Sequence, residues 1–574
     1  MSRPSVWAPR ADAVELVLDD QRRPMVRGEG GWWSATAELP AGTDYRFSLD
    51  GGDAIPDPRS PWQPAGVHGP SRTVDHSRFA WTDAGFKRAP LRDAVIYELH
   101  VGTFTPGATF DSAIERLDYL AQLGITHLEL MPVAEFSGSR GWGYDGVDLF
   151  APHHAYGGPD ALKRLVDAAH RRGLAVVLDV VYNHLGPDGN YLDRFGPYVT
   201  DRYATAWGDA INMDDAGSHE VRRFVVDNAL MWMRDYHVDG LRLDAVHAVF
   251  DSSAVHILEQ IATATADLAR EVRRPLVVTA ESDLNDPRLV RPVADGGYAL
   301  DAVWSDDVHH ALHVALTGET SGYYADFTSD GVLPRAMSEP FLYAGQYSAV
   351  RDRVHGRDPE DLPGDRFVVA LQNHDQVGNR ARGERIGQIV SPGRARIGAA
   401  LLLTVPYVPL LFAGEEWSAS SPFQYFTGHD SPDLAEAVRR GRREEFGAFG
   451  WDPDDVPDPQ DPATFERSKL RWDELASGDH AEMLEWYRAL LAIRASTPAL
   501  RDADRSAVAV EHDPGAGWLT VRRGPIEVVA NLGSRDVARP LVGAPILCWP
   551  AGLVVERGTV TLPPDGVVVA EAGR

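Results

Sequence analysis

Arg242 and Asp244 stand two positions apart in the run Gly240-Leu241-Arg242-Leu243-Asp244-Ala245. Their apolar neighbours read as one buried strand, Gly240 to Val246, on which alternate side chains share a face, so both charges are expected to aim at one spot. A charge at the end of an apolar strand is costly unless paired or used, which points to a working carboxylate with an arginine partner. Three more predicted strands end in reactive side chains: Leu178-Asp179-Val180-Val181-Tyr182-Asn183-His184, Thr279-Ala280-Glu281-Ser282-Asp283 and Leu371-Gln372-Asn373-His374-Asp375-Gln376. If these ends share a mouth, three carboxylates, two histidines and an arginine converge there. Glycoside hydrolysis needs such a set, because its oxocarbenium-like transition state requires one carboxylate at the anomeric carbon and a protonated acid at the leaving oxygen. A retaining mechanism needs that pair roughly 5 to 5.5 Å apart, which adjacent strands supply through Asp244 and Glu281, with Asp375 acting electrostatically. Arg242 would keep the nucleophile ionised, while Glu281 needs a raised pKa.

The elements that must position these groups alternate from Asp93 onward. Strands are predicted at 95–99, 126–131, 175–181, 240–246, 276–280, 302–304, 367–371 and 410–412, and helices at 112–123, 159–172, 219–236, 255–272, 308–316 and 395–403. Eight strands alternating with helices predict an α/β fold, a (β/α)₈ TIM barrel whose site lies at the strand C-termini. It closes with a helix over 481–493. Two intervals, 184–218 and 321–365, are too long for plain connections and are expected to shape the site. Short alternating runs before 82 (Val14 to Leu18, Tyr45 to Leu49) and after about 500 (Gly517 to Val521, Gly566 to Ala570) predict β-sandwiches at both ends. The expected domains are 1–82, 83–495 and 496–574. Trp7, Trp32, Trp33, Trp62 and Trp81 in the first are read as core and interdomain packing.

The 574 residues carry 56 Lys+Arg against 84 Asp+Glu, a formal charge of −28, with no basic run to offset it. Nucleic acid and anionic membranes are therefore poor partners, whereas neutral sugars face no electrostatic bar. Cys548 is the single cysteine, which excludes an intrachain disulfide and a thiolate metal cluster and fits a reducing interior. The first ten residues hold no apolar run of the signal-peptide kind, and the most apolar segment, Ile397 to Phe412, is interrupted by Pro406 and Pro409. A cytoplasmic protein is expected.

The strings Asp179 to His184, Gly240 to Asp244, Ala280-Glu281-Ser282 and Asn373-His374-Asp375 resemble, in order, the four signature regions of the α-amylase family of glycoside hydrolases. The resemblance implies Asp244 as nucleophile, Glu281 as acid/base and Asp375 as transition-state stabiliser. It also implies that His184, Arg242 and His374 contact the sugar in the cleaved subsite, with Tyr144 stacking beneath it, and that Asp179 organises Arg242 or Tyr182. Further strings narrow it to the trehalohydrolase branch: Gly143 to Tyr156, Pro187 to Leu192, Ala206 to Asn212, Gln372 to Arg380, Ala280 to Pro287, Phe412 to Trp417 and Pro422 to Phe426. Val6-Trp7-Ala8-Pro9 and Gly66 to Ser71 fit the N-terminal sandwich of that branch, so the likeness spans nearly the whole chain. Met213 departs from it where phenylalanine is expected.

That branch implies hydrolysis of the α-1,4 bond next to the terminal trehalose of maltooligosyl trehalose, without a cofactor, and a functional pairing with maltooligosyl trehalose synthase. Its main rival is a glucan branching enzyme, which passes the glycosyl group to a sugar. A non-catalytic glucan-binding barrel is the rival from another class, and the presence of all three carboxylates speaks against it. His247 and Asp283, shortly after the nucleophile and the acid/base, are the candidates for trehalose contacts on the leaving-group side. No metal is expected. His153-His154 and His309-His310 are adjacent pairs that should point apart, and Asn183, Asp188, Asp193 and Asp201 offer oxygens for calcium without a compact ligand spacing.

Overall fold

The computed structural model describes residues 3–448 and 456–573; Met1, Ser2, 449–455 and Arg574, which fall within the three expected domain ranges, lie outside the described residues. At its centre eight parallel strands close into a barrel: Ile96–Leu99, His127–Leu130, Ala175–Val180, Gly240–Leu243, Val277–Ala280, Ala302–Trp304, Phe367–Ala370 and Val408–Phe412. They follow one another in chain order, and the eighth pairs with the first. Every residue of these strands is buried, as expected where side chains fill the barrel interior and helices cover the outside. The covering helices include Gly158–His170, Ser218–Asp235, Ile257–Val272, Asp306–Thr317, Pro392–Thr404 and Gly478–Ser496. One expected helix, 112–123, is two: Phe110–Ile114 and Leu117–Leu123. A reciprocal cap between Thr109 and Ser112 starts the first early, and i→i+3 bonds from Glu115 and Arg116 end it.

The fourth strand also needs correcting. It ends at Leu243 rather than Val246, so Asp244 lies one residue beyond it, held by its N–H bond to Val180 O (3.0 Å). Ala245 then turns the chain at φ +39°, a left-handed conformation that an alanine adopts only under constraint. Asp244 is thus a tip residue, presented to the mouth instead of packed into the barrel.

The long intervals carry their own structure. After the third strand come helix Leu192–Phe195 and hairpin Val199–Thr205/Gly208–Ile211. Before the seventh come helix Val332–Ala336 and hairpin Gln346–Ser348/Arg353–His355. A third insert, hairpin Ala134–Phe136/Gly146–Pro152 after the second strand, was not expected. Its connecting loop brings in Tyr144, and Gly143 (φ +101°) allows this, because a Cβ there would stand 2.2 Å from Pro132 O.

Both flanks are antiparallel β-structure. At the N-terminal end one sheet contains Ser5–Trp7, Trp32–Ser34 and Val26–Arg27, and another contains Gln21–Pro24, Val14–Leu18, Asp44–Leu49 and Ala54–Ile55. Trp7 and Trp33 are buried, and the Trp7 ring meets Tyr198 of the first long interval edge-on at 5.5 Å, which joins this sheet to the barrel loops. At the C-terminal end Val508–Asp513, Trp518–Arg523, Ile526–Asn531, Val567–Glu571 and Ala544–Trp549 form one sheet, with Val537–Pro540, Thr559–Leu562 and Val555–Glu556 in another. Buried Arg523 ties the first of these to the barrel through Thr404 O (3.1 Å). Among the described residues no helix is long and apolar enough to cross a membrane.

Candidate active site

Arg242 organises the mouth. It is fully buried, and its Nη1 donates both to Asp179 Oδ2 (2.8 Å) and to Asp244 Oδ1 (2.7 Å), while Nη2 lies 3.6 Å from Glu281 Oε2. Its guanidinium also covers the Trp304 ring at 4.5 Å. Burial works to lower its pKa, but the surrounding Asp179, Tyr144, Asp244 and Glu281 outweigh that and hold it well above the ordinary value. One cation thus touches three carboxylates from three consecutive strands. Asn183 fixes the other oxygen of Asp244, donating from Nδ2 to Oδ2 (2.8 Å) and to the Asp244 carbonyl (2.9 Å).

Of the two partners expected for Asp179, the structure gives Arg242 and not Tyr182. Asp179 accepts from Arg242 and from Tyr144 Oη (2.7 Å), whereas the Tyr182 hydroxyl bonds to Asn228. Burial pushes the Asp179 carboxyl up to about 7 against the pull of Arg242.

The Tyr144 hydroxyl also lies 2.7 Å from His374 Nε2, and the two rings stack at 5.2 Å. A hydroxyl has one proton to give. With that proton on Asp179, Nε2 must donate to Tyr144, and Nδ1 donates to Glu98 Oε1 at 2.5 Å. A His374 protonated on both nitrogens satisfies all of these contacts at once. The electrostatics agree: burial lowers its pKa, but Asp375 and Glu98 outweigh that and lift it to about 9.

Glu281 is set apart from Asp244 by its surroundings. Its Oε2 accepts the Ala245 N–H (2.6 Å), the bond that the left-handed turn makes available. Burial, helped by the negative Asp244 and Asp375, raises its pKa from the ordinary carboxyl value, with Arg242 opposing. Asp375 lies in the first turn of the short helix His374–Gly378, whose cap Asn373 accepts the Asp375 and Gln376 N–H groups. Its side chain is 44% exposed, against 12% for Asp244 and 14% for Glu281, so it is the carboxylate most open to the cleft.

The other sequence-predicted contacts fall around this centre. His184, lowered in pKa by burial, bonds to Asn183 and stacks at 4.5 Å on Trp207, a half-exposed ring from the first long interval. His247 Nδ1 stands 3.9 Å from Asp283 Oδ1, so these two do come together beside Glu281. The sequence reading passed over Glu98, Glu129, Asp306 and the ring of Trp207. Glu98 and Glu129 are register partners on the first two strands. Both Glu129 oxygens are buried without a hydrogen bond to any described residue, and burial beside Glu98 pushes its pKa well up, which favours the neutral form. The usable signal was the one that marked Arg242: a charge inside an apolar run, as in Ile96-Tyr97-Glu98-Leu99 and Leu128-Glu129-Leu130. Asp306 is likewise pushed well up by burial and by Glu281, Asp375, Asp307 and Asp283.

One premise of the reading of His153 and His154, that the two neighbours point apart, does not hold. The strand stops at Pro152 and a 3₁₀ turn starts at His154, so the pair does not lie on one regular element. Both Nδ1 atoms approach Glu135 Oε1, at 3.3 and 2.6 Å. Among the described residues these three form the group able to hold a metal ion, with ligand atoms within 4.8 Å of one another. The 2.6 Å separation, however, is shorter than the ~3.3 Å edge of a tetrahedral site with ~2 Å bonds and suits a shared proton. Of the calcium candidates, Asn183 serves Asp244, and Asp188 accepts from Ser137 (2.5 Å) and lies 3.3 Å from His68.

Residues 83–205 match the family model described as alpha amylase, catalytic domain, and residues 2–63 match carbohydrate-binding module 48 (isoamylase N-terminal domain). The malto-oligosyltrehalose trehalohydrolase of Arthrobacter ramosus is 51% identical over 551 residues, 95% of each chain. That of Rhizobium sp. (strain M-11) is 49% identical over 576 residues, 98% of this chain and 96% of its own. A crystal structure described as a putative alpha amylase from Salmonella typhimurium matches at TM-score 0.91 and 41% identity, over 99% of this chain and 97% of that one. Identity of this level over the full length, together with the closed barrel, makes this chain a glycoside hydrolase that belongs to the malto-oligosyltrehalose trehalohydrolase family.

Proposed function

We propose that the enzyme hydrolyses the α-1,4 bond adjoining the terminal trehalose of maltooligosyl trehalose and releases trehalose, with retention at the anomeric carbon. Asp244 is the nucleophile, Glu281 the acid/base and Asp375 the stabiliser of the oxocarbenium-like transition state. Arg242, His184, His374 and Tyr144 bind the sugar whose bond is cleaved. The observation that carries this reading is the shared guanidinium. Arg242 bonds to Asp244 at 2.7 Å but stands 3.6 Å from Glu281, whose pKa is raised. A carboxylate beside a buried cation favours the anion required for attack, and a buried, more weakly paired one favours the acid required at the leaving oxygen.

In the first step Glu281 gives its proton to the glycosidic oxygen as Asp244 attacks, releasing trehalose and leaving a glycosyl ester. In the second, Glu281 takes a proton from water as water displaces Asp244. His374, held from behind by Glu98, bonds to the Tyr144 hydroxyl and so fixes the ring proposed to lie beneath the sugar. Domains at 1–82, 83–495 and 496–574 and a cytoplasmic setting complete this reading, with maltooligosyl trehalose synthase supplying the substrate.

Incubation with maltooligosyl trehalose and with plain maltooligosaccharides tests it by product identification. The expected products are trehalose and a shortened maltooligosaccharide. New branch points in place of trehalose would instead make the protein a branching enzyme. On the leaving side, His247→Ala and Asp283→Ala are each expected to reduce the preference for trehalose-ended chains about 10-fold, the scale of one lost hydrogen bond to a charged group. Steady-state kinetics on both substrates measures this, and an unchanged preference removes the two residues from trehalose recognition.

A further inference from the structure

We infer that Arg351, from the hairpin before the seventh strand, is a specificity-determining residue that binds hydroxyls of the leaving trehalose together with Asp283. This rests on the proposed function and adds a residue and a segment to it.

Arg351 lies in the turn of hairpin Gln346–Ser348/Arg353–His355. The turn is held from below: Asp326 accepts from the Ala349 N–H (3.1 Å) and from the Ser348 hydroxyl, and the Arg351 N–H donates to Ser348 Oγ (3.1 Å). The hairpin in turn docks on the loop that follows Glu281. His355 Nε2 is 2.8 Å from the Asp283 carbonyl, and the Arg357 N–H donates to the Asn285 carbonyl (3.1 Å). Gly356 seals the contact, since a Cβ there would stand 1.9 Å from Tyr343 O. The guanidinium is thus carried by a braced segment fixed to the acid/base loop.

Its head group is mostly buried yet underused. Nη1 is buried and makes no hydrogen bond to any described residue, and Nη2 stands 3.7 Å from Asp283 Oδ2. Across the same carboxylate, Oδ1 stands 3.9 Å from His247 Nδ1. Both separations exceed hydrogen-bond length, and an oxygen set beside each gap could bond to both of its ends. A buried guanidinium nitrogen without an acceptor is costly unless a ligand supplies one. The planar fork suits two neighbouring acceptors, and vicinal hydroxyls of a glucose ring present such a pair. The position follows from the chain: Asp283 is two residues past the acid/base that protonates the leaving oxygen. Trehalose differs from the end of a plain chain in the 1,1 linkage of its last ring, so a fork reaching that ring can tell the two apart.

The test compares Arg351→Ala with wild type on maltooligosyl trehalose and on a maltooligosaccharide of equal glucose number. For Arg351→Ala, kcat/KM on the trehalose-ended substrate is expected to fall about 10- to 100-fold, with the plain chain changed by less than about 2-fold. Inhibition by added trehalose should weaken about 10-fold. Arg351→Lys keeps the stem and charge but loses the fork, so it should fall between the two and provides the same readout if the alanine variant misfolds. An equal loss on both substrates marks a structural role and overturns the inference, as does an unchanged ratio. A wild-type enzyme with no preference for trehalose-ended chains overturns the functional reading as well.

Discussion

Asp244→Asn is expected to abolish hydrolysis of maltooligosyl trehalose, lowering kcat by at least ~10⁴-fold, on the scale seen when a covalent nucleophile is removed. The amide is nearly isosteric, so the fold should persist. Asn183 and Arg242 surround this position at 2.8 and 2.7 Å, and Arg242 keeps its second acceptor, Asp179. On the proposed assignment, what disappears is the anion that attacks the anomeric carbon, and neither neighbouring carboxylate replaces it: Glu281 is assigned as the acid, and Asp375 is the more exposed group. Single-turnover kinetics with thermal unfolding as a control measures the effect. Full hydrolysis by the variant would remove Asp244 from the nucleophile role.

Glu281→Gln is expected to lower kcat by roughly 10²- to 10⁴-fold, the usual contribution of a positioned acid. The amide oxygen can still accept the Ala245 N–H, so the backbone turn should be kept. The loss should depend on the leaving group. An aryl maltooligoside with an acidic phenol needs little protonation and should retain much of its first-step rate, whereas the natural substrate should not. The pH profile supplies an independent readout. Because burial and the nearby Asp244 and Asp375 raise the pKa of Glu281, it remains an acid above the ordinary carboxyl range. The wild-type rate should then fall as pH rises through that raised pKa, and the variant should lack this alkaline limb. An alkaline limb unchanged in Glu281→Gln would assign the acid to another group.

Much of this centre was legible because a barrel strand buried on both sides reads as a run of apolar residues, and a charge closing such a run is conspicuous. Asp179, Arg242 and Glu281 stood out in that way, as did the eight strands themselves, whereas Asp375, five residues past its strand in a short helix, took its assigned role from the family resemblance. The exact strand end at Leu243 was not legible, because it depends on Ala245 entering a left-handed conformation that its side chain does not favour. Glu98 escaped because its partner is His374, 276 positions away, and nothing local announces the pairing. The directions of His153 and His154 were misjudged because the rule that neighbours point apart assumes one regular element, and here a strand gives way to a 3₁₀ turn between them. Arg351 carried no signal in the sequence: it lies in a turn with no periodic pattern around it, and only the docking of the hairpin gives it a target.

The hairpin at Gln346–His355 lies outside the barrel ladder and meets the site only through side chains and loop contacts. Lengthening or exchanging such an insert costs little closure entropy, about 0.6 kcal/mol for each doubling of a flexible loop, and leaves the strand tips with their carboxylates undisturbed. On the inference drawn for Arg351, the groups that would choose the leaving sugar are split between the strand-end loops, which carry His247 and Asp283, and a hairpin outside the barrel ladder. A hairpin exchange would then alter one part of product choice and leave the carboxylates at the strand ends in place.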